Sequence, residues 1–327
     1  MSLNILSTTL LLAGSITASV LPRAGTELKP LMTVDFPDPA VIGIGNGAWL
    51  SFATNGNGKR VQVTKTTSGL GGPWNLLDND LLPTVGSWST GHNTWAPNVR
   101  RVGSKYVLYY VSEAKDGGKH CVAAAVSDTV LGPYKPDDNP IACHKEKGGA
   151  IDISGFTDSD GKNYVVYKID GNSIGPGGSC GNSNYGSPGS VPTPLMLQEM
   201  GSDGTTRVGE PVHILDKGPY DGPLIEAPQI IKKDGLYIVF FSSNCYSTTL
   251  YDISYATSTS LRGPYKKAAK PLAVTGNPFD LTAPGGAQAT DDGRSLVFHA
   301  DCQVDGGKKR CLYTKDIKIE GGIVRFV

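Results

Sequence analysis

The sequence predicts an all-β, five-bladed β-propeller, and three observations carry that prediction. Runs of aromatic and β-branched residues recur at 48–52, 105–110, 163–167, 236–241 and 295–299, with anchors at Trp49, Tyr106, Tyr164, Tyr237 and Leu296. Their intervals are about 60 residues, the length of a four-stranded blade with its loops, and only the third is longer. Three of the runs are followed at comparable distance by one mark: Gly72-Pro73-Trp74, Gly132-Pro133-Tyr134 and Gly263-Pro264-Tyr265. Finally, 42 glycines, 22 prolines and a charged fraction of 18% indicate tight turns and short strands, and no long window shows helical periodicity. Four-stranded units set radially bury both faces of each sheet against neighbours, which an isolated unit cannot do. A β-sandwich with accidental spacing is the rival.

Residues 1–18 have the pattern of a secretory signal: Ile5-Leu6 and Leu10-Leu11-Leu12-Ala13 form an apolar stretch, and Thr17-Ala18-Ser19 supplies small residues for cleavage. Residues 19–34 are expected to be a lead-in and 35–327 the propeller, secreted to the extracellular space. Each anchor run should be the second strand of a blade. The long third interval contains Gly171 to Pro194, rich in Gly, Ser, Asn and Pro, which is expected to be a loop insertion. The three Gly-Pro-aromatic marks are expected to be structural. Asp158, Asp160 and Gly161 suit a turn between strands and lack the alternating carboxylates of a calcium loop.

Six cysteines, none in a CxxC pair, fit an oxidising compartment. Loops after each second strand return to the channel face, so Cys180 is expected to meet Cys245. Cys302 and Cys311 should close the hairpin of the last blade, leaving Cys121 with Cys143. Lys plus Arg equals Asp plus Glu at 30 each, so no basic field exists to hold nucleic acid. Beyond the leader nothing is apolar enough to span a bilayer, and a monomer is expected. No Walker loop, zinc motif or Asn-x-Ser/Thr acceptor is present.

Equivalent positions of different blades face the same axis, so the repeat can be searched for a chemical centre. Counting back about eleven residues, one strand and its turn, leads from Trp49 to Asp38, from Tyr164 to Asp152 and from Tyr237 to Glu226. These positions start the innermost strands, at the channel mouth, where three acids would converge. Their settings, Phe36-Pro37-Asp38-Pro39-Ala40, Ala150-Ile151-Asp152-Ile153 and Leu224-Ile225-Glu226-Ala227-Pro228, suggest burial. Carboxylates sharing a desolvated cavity should raise each other's proton affinity and titrate apart, as acid/base chemistry requires. The same step from Tyr106 reaches Trp95, whose face could stack on a ligand ring or serve the core. His92 and Trp88, just upstream, are weaker candidates for substrate contact. His299, in Val297-Phe298-His299-Ala300, suits either a core histidine or a functional one.

The set Phe-Pro-Asp-Pro-Ala-Val, Trp-Ala-Pro-Asn, Ile-Asp-Ile-Ser with Asp-Ser-Asp-Gly-Lys-Asn-Tyr, and Ile-Glu-Ala-Pro-Gln resembles the signatures of glycoside hydrolase family 43 over about residues 35 to 300. The resemblance implies a five-bladed propeller and an inverting mechanism. Asp38 would be the general base, Glu226 the general acid, and Asp152 the residue that orients the acid and tunes it; Asp35 competes with Asp38 in the first motif. It further implies a plant cell-wall polysaccharide or oligosaccharide as substrate, with an α-L-arabinofuranosidase or arabinanase favoured over a β-xylosidase, a galactofuranosidase or an inactive sugar-binding propeller. No cofactor is required for the chemistry. Members often carry a channel histidine that holds calcium, where this chain has Gly286 in Ala283-Pro284-Gly285-Gly286-Ala287-Gln288. A structural calcium ion would then fall to His299, with Gln288 and waters, and Gln288 is also a candidate for substrate contact.

Overall fold

The computed structural model describes residues 26–327; the signal assigned to 1–18 and the first part of the lead-in lie outside the described residues. Twenty strands form five four-stranded antiparallel sheets. Blade 1 holds β1 (Ala40–Gly45), β2 (Ala48–Ala53), β3 (Gln62–Thr66) and β4 (Asn75–Leu76), and blade 2 holds β5 (Trp95–Val102), β6 (Lys105–Glu113), β7 (His120–Ser127) and β8 (Lys135–Pro136). Blade 3 holds β9 (Ala150–Thr157), β10 (Asn163–Ile169), β11 (Leu195–Met200) and β12 (Arg207–Leu215). Blade 4 holds β13 (Ile225–Lys233), β14 (Leu236–Ser243), β15 (Ser254–Ser258) and β16 (Lys266–Lys267), and blade 5 holds β17 (Thr282–Ala289), β18 (Ser295–Val304), β19 (Gly307–Glu320) and β20 (Ile323–Phe326). All five anchor runs are second strands. Helix among the described residues is limited to single 3₁₀ turns, two of them in the 171–194 insertion.

The innermost strands β1, β5, β9, β13 and β17 neighbour one another in sequence order, and β17 returns to β1 to close the ring. Strands such as β10 and β14 are buried on both faces because each blade is sandwiched between two others. Apolar clusters fill the blade interfaces; Leu50, Phe52, Leu108 and Tyr110 join blades 1 and 2, and Ile238, Phe240, Leu296 and Phe298 join blades 4 and 5. Closure between blades 5 and 1 uses the end of the lead-in and the first residues after it. Met32 and Phe36 pack with Val297 and Leu312, while Leu31 and Phe36 donate backbone hydrogen bonds to the carbonyls of Leu312 and Arg310.

The Gly-Pro-aromatic marks each open a two-residue outer strand. Trp74 Nε1 donates to Leu70 O at 2.9 Å, Tyr134 Oη to Val130 O at 3.0 Å and Tyr265 Oη to Leu261 O at 3.1 Å. One local bond, repeated three times, fixes the turn into the outer strand, which makes these residues structural. The cysteines pair 121–143, 180–245 and 302–311. The second ties the blade 3 insertion to the loop after β14, and the third braces the β18–β19 hairpin.

Candidate active site

Every innermost strand opens with one backbone irregularity. Asp38, Ala96, Asp152, Ala227 and Ala283 all take left-handed φ values, between 41 and 57°, and pairing to the second strand slips beside four of them. Left-handed backbone in a non-glycine residue is costly, and bulges re-aim side chains. The result is a cavity of about 170 Å³ at the channel mouth, lined by Asp38, Thr54, Trp95, Ile151, Asp152, Glu226, Ala227, Tyr246, Tyr251 and Arg310. A larger concavity of about 790 Å³ lies between the outer strands of blades 4 and 5, lined by Lys266, Lys270 and Phe326 among others. It contains no acid.

Asp38 precedes β1 on the blade 5 side of the cavity. Its Oδ2 accepts from Thr54 Oγ1 at 2.6 Å, and the same hydroxyl accepts the Ala96 N–H at 2.9 Å, tying blade 1 to blade 2. Arg310, at the end of the β19 segment braced by Cys311, places Nη1 3.3 Å from Asp38 Oδ1 and lies over the Tyr246 ring at 4.9 Å. Burial alone would raise the proton affinity of Asp38, but the guanidinium and the Thr54 hydroxyl outweigh it and hold the carboxyl below its ordinary range. Asp35 turns the other way and accepts the Arg310 backbone N–H at 2.9 Å.

Across the cavity, Asp152 Oδ2 accepts the Ala227 N–H at 2.9 Å. Its pKa is pushed up to about 8, first by burial and then by the Glu226 charge, with Lys168 opposing. Glu226, at the start of β13, accepts from Lys168 Nζ at 3.1 Å. Asp152 therefore keeps its proton beside the Glu226 carboxylate at neutral pH. The expectation that all three acids raise one another fails at Asp38, because a cation from blade 5 faces it while two carboxyls face each other across blades 3 and 4. Arg310, Lys168, Thr54 and Tyr251 were not identified from the sequence.

Tyr251 is buried against the floor, its ring stacked on His299 at 5.8 Å, and a side chain at Gly285 would overlap that ring. Trp95 is half-buried at the wall, stacked on His120 with centroids 4.0 Å apart. His92 is exposed on its loop and Trp88 packs toward Tyr110; neither lines the cavity. Gln288 also lies away from it, its Oε1 accepting from Asn98 Nδ2 at 2.7 Å as a link between inner strands. A glutamine deep in the channel is consumed by joining blades.

His299 is buried, and burial followed by the Arg310 charge lowers its pKa to about 3. The neutral ring accepts the Asp38 N–H on Nδ1 at 3.0 Å, so its nearness to Asp38 is no ion pair and Nε2 carries the proton. Gly286 sits against it; a Cβ there would lie 2.7 Å from Cε1. His299 thus offers a donor and no free lone pair, and no three His, Cys, Asp or Glu side chains gather as ligands among the described residues. The donor set does not fit a directly ligated calcium ion.

One ionised carboxylate, Asp38, thus faces a second, Asp152, that retains its proton beside Glu226, across a partly desolvated cavity with an aromatic wall. That arrangement can accept a proton on one side and donate one on the other. Residues 28–320 match the family Glycosyl hydrolases family 43. Among curated proteins the chain is similar to a probable arabinan endo-1,5-alpha-L-arabinosidase A of Aspergillus flavus, 26% identical over 282 residues, covering 85% of this chain and 77% of that protein. It is 24% identical over 293 residues to the extracellular endo-alpha-(1->5)-L-arabinanase 1 of Bacillus subtilis, covering 84% and 83%. A beta-D-galactofuranosidase of Aspergillus niger is 27% identical over 226 residues, 65% of this chain and 58% of that one. Among solved structures, a thermostable family-43 glycoside hydrolase superposes with a TM-score of 0.76 at 25% identity, covering 92% of this chain and 96% of that chain.

Proposed function

The chain belongs to glycosyl hydrolases family 43 and is a glycoside hydrolase, and from that premise we propose that it is a secreted, inverting enzyme acting on α-L-arabinofuranosyl linkages of plant cell-wall arabinan. In this reading Asp38 is the general base, drawing a proton from water as it attacks the anomeric carbon. Glu226 is the general acid that protonates the departing oxygen as the C–O bond breaks. Asp152 orients Glu226 and tunes its proton affinity, and Trp95, backed by His120, is a stacking wall for the sugar. The observation that carries this reading is the opposed proton affinity of Asp38 and Asp152 across one cavity. A cavity of about 170 Å³, below the roughly 300–1,000 Å³ of drug-sized ligand sites, suits one sugar ring with the rest of the chain outside. The arabinanase relatives support arabinan as substrate, and three disulfides together with the extracellular Bacillus relative support secretion.

Proton NMR of the first product from an arabino-oligosaccharide tests the mechanism. Inversion of anomeric configuration is expected, and retention would exclude the role given to Asp38. A panel of arabinan, xylan, arabinoxylan and a galactofuranoside tests the substrate. The Aspergillus niger relative makes galactofuranose the second reading, and preferential cleavage of that glycoside would select it.

A further inference from the structure

Lys168 is wholly buried, in the β10 run Tyr164-Val165-Val166-Tyr167-Lys168-Ile169. A lone ammonium in such a place is tolerated only when carboxylates meet it. Its Nζ lies 3.1 Å from Asp170 Oδ1 on its own blade and 3.1 Å from Glu226 Oε2 on blade 4. The two contacts are equal in length and Asp170 is the stronger electrostatic partner, so Lys168 is held by both carboxylates, with a hydrogen bond to Glu226. A purely structural lysine would be satisfied by its neighbour two residues on. This one spans the blade interface. The charged groups around it are Asp170 from its own strand end, Glu226 from β13 and Asp152 from β9, with Lys217 near enough for its ammonium to be disfavoured by the Lys168 charge.

We propose that Lys168 is a positioning residue of the acid: by bonding Glu226 across the blade 3–blade 4 interface it fixes that carboxyl beside Asp152 and stabilises it once its proton has gone. The inference rests on the acid role proposed for Glu226. Two facing carboxyls without a cation would hold their proton too tightly to give it to a sugar oxygen. Once the proton has gone, the pair carries two negative charges, and the ammonium, which keeps its own protons, stabilises that state. Lys168 therefore acts through Glu226 rather than on substrate.

The test is the pH dependence of kcat on linear arabinan and on an activated aryl arabinofuranoside. Lys168→Met should move the basic limb up by about one pH unit or more and depress the arabinan rate more than the aryl glycoside rate. Lys168→Arg should keep the limb near its wild-type position. Asp170→Asn, nearly isosteric, removes a negative charge and should move the limb down. A folded Lys168→Met enzyme with an unmoved basic limb, or a limb that moves the same way in Lys168→Met and Asp170→Asn, would overturn the proposal. If Lys168→Met does not fold, Asp170→Asn decides, and an unmoved limb there overturns it too. Glu226→Gln separates the two layers. Full activity of that variant on arabinan removes the acid role itself, whereas its loss on arabinan with recovery on the aryl glycoside leaves only Lys168 at stake.

Discussion

Asp38 and Asp152 occupy equivalent places in blades 1 and 3, each at the mouth of an innermost strand with φ of 55 and 57°, yet their proton affinities are driven in opposite directions. The repeat places both acids; it does not determine what they do. That is settled by neighbours from non-equivalent positions. Asp38 has a cation against it, Arg310 from the third strand of blade 5. Asp152 faces Glu226, and the nearest cation, Lys168, is divided between Glu226 and Asp170. A quasi-symmetric scaffold thus builds an asymmetric site by breaking the repeat in its second and third strands.

The comparison is broken most sharply by substituting each wall. Asp38→Asn should reduce kcat on every substrate by about 10²–10⁴-fold, the usual worth of general acid or base catalysis. Glu226→Gln should do so on arabinan but recover on an activated aryl arabinofuranoside, whose leaving group needs little protonation. Recovery in Asp38→Asn instead would invert the assignment of the walls.

Stability gives the next test. Between pH 3.8 and about 8 the native state holds a proton on Asp152 that the unfolded chain has released. In that window the contribution of Asp152 to stability falls as pH rises, by at most about 1.4 kcal/mol per pH unit. Asp152→Asn has no such proton to hold, so its melting temperature relative to wild type should climb from acid to neutral pH. A pH-independent difference would mean that Asp152 is not the raised group.

Arg310→Gln probes the other wall. The folded pKa of Asp38 is held down by that cation; without it the carboxyl should protonate at higher pH, moving the acidic limb of kcat/KM up by about one unit. The basic limb should stay fixed. An acidic limb that does not move would remove Arg310 from the setting of Asp38.

The smallest effect isolates the backbone from the acids. Blade 2 has the same left-handed start with Ala96 in place of an acid. Ala96→Gly should relieve that strain and raise stability by about 0.5–1 kcal/mol, after glycine's greater unfolded-state entropy is offset. Neither pH limb should shift; a shift would show that the bulge geometry, and not charge alone, governs the acids.

Much of this was legible because propeller geometry repeats. The five anchor runs lie on β2, β6, β10, β14 and β18, and the backward step from three of them falls on acids that line one cavity. The loops that return to the channel face joined Cys180 to Cys245 as expected. The dipeptides Asp38-Pro39, Ala96-Pro97, Ala227-Pro228 and Ala283-Pro284 were an additional signal, marking the left-handed starts of four inner strands. Lys168 was also findable, as the lone charged residue of a strand otherwise dominated by aromatic and β-branched residues. Arg310 was not, because nothing in the repeat marks a third-strand residue and its partner lies nearly the whole chain away. Gln288 and His92 were misplaced since register gives the face of a strand but not which polar side chains are consumed in joining blades or are left on an exposed loop.

The separation of 272 positions between Arg310 and Asp38 has a consequence for when the enzyme can work. During synthesis the donor wall, from Asp152 through Lys168 to Glu226, can assemble once blades 3 and 4 are made. The acceptor wall cannot. Asp38 emerges early but stays without its guanidinium until the β18–β19 hairpin folds and the lead-in docks along it. Ring closure, a long-range and therefore late event, is the step that brings Asp38 to its low-affinity state, so on the roles proposed above hydrolytic competence should arise only with the finished propeller, and a partly made chain would hold only the wall proposed to donate the proton.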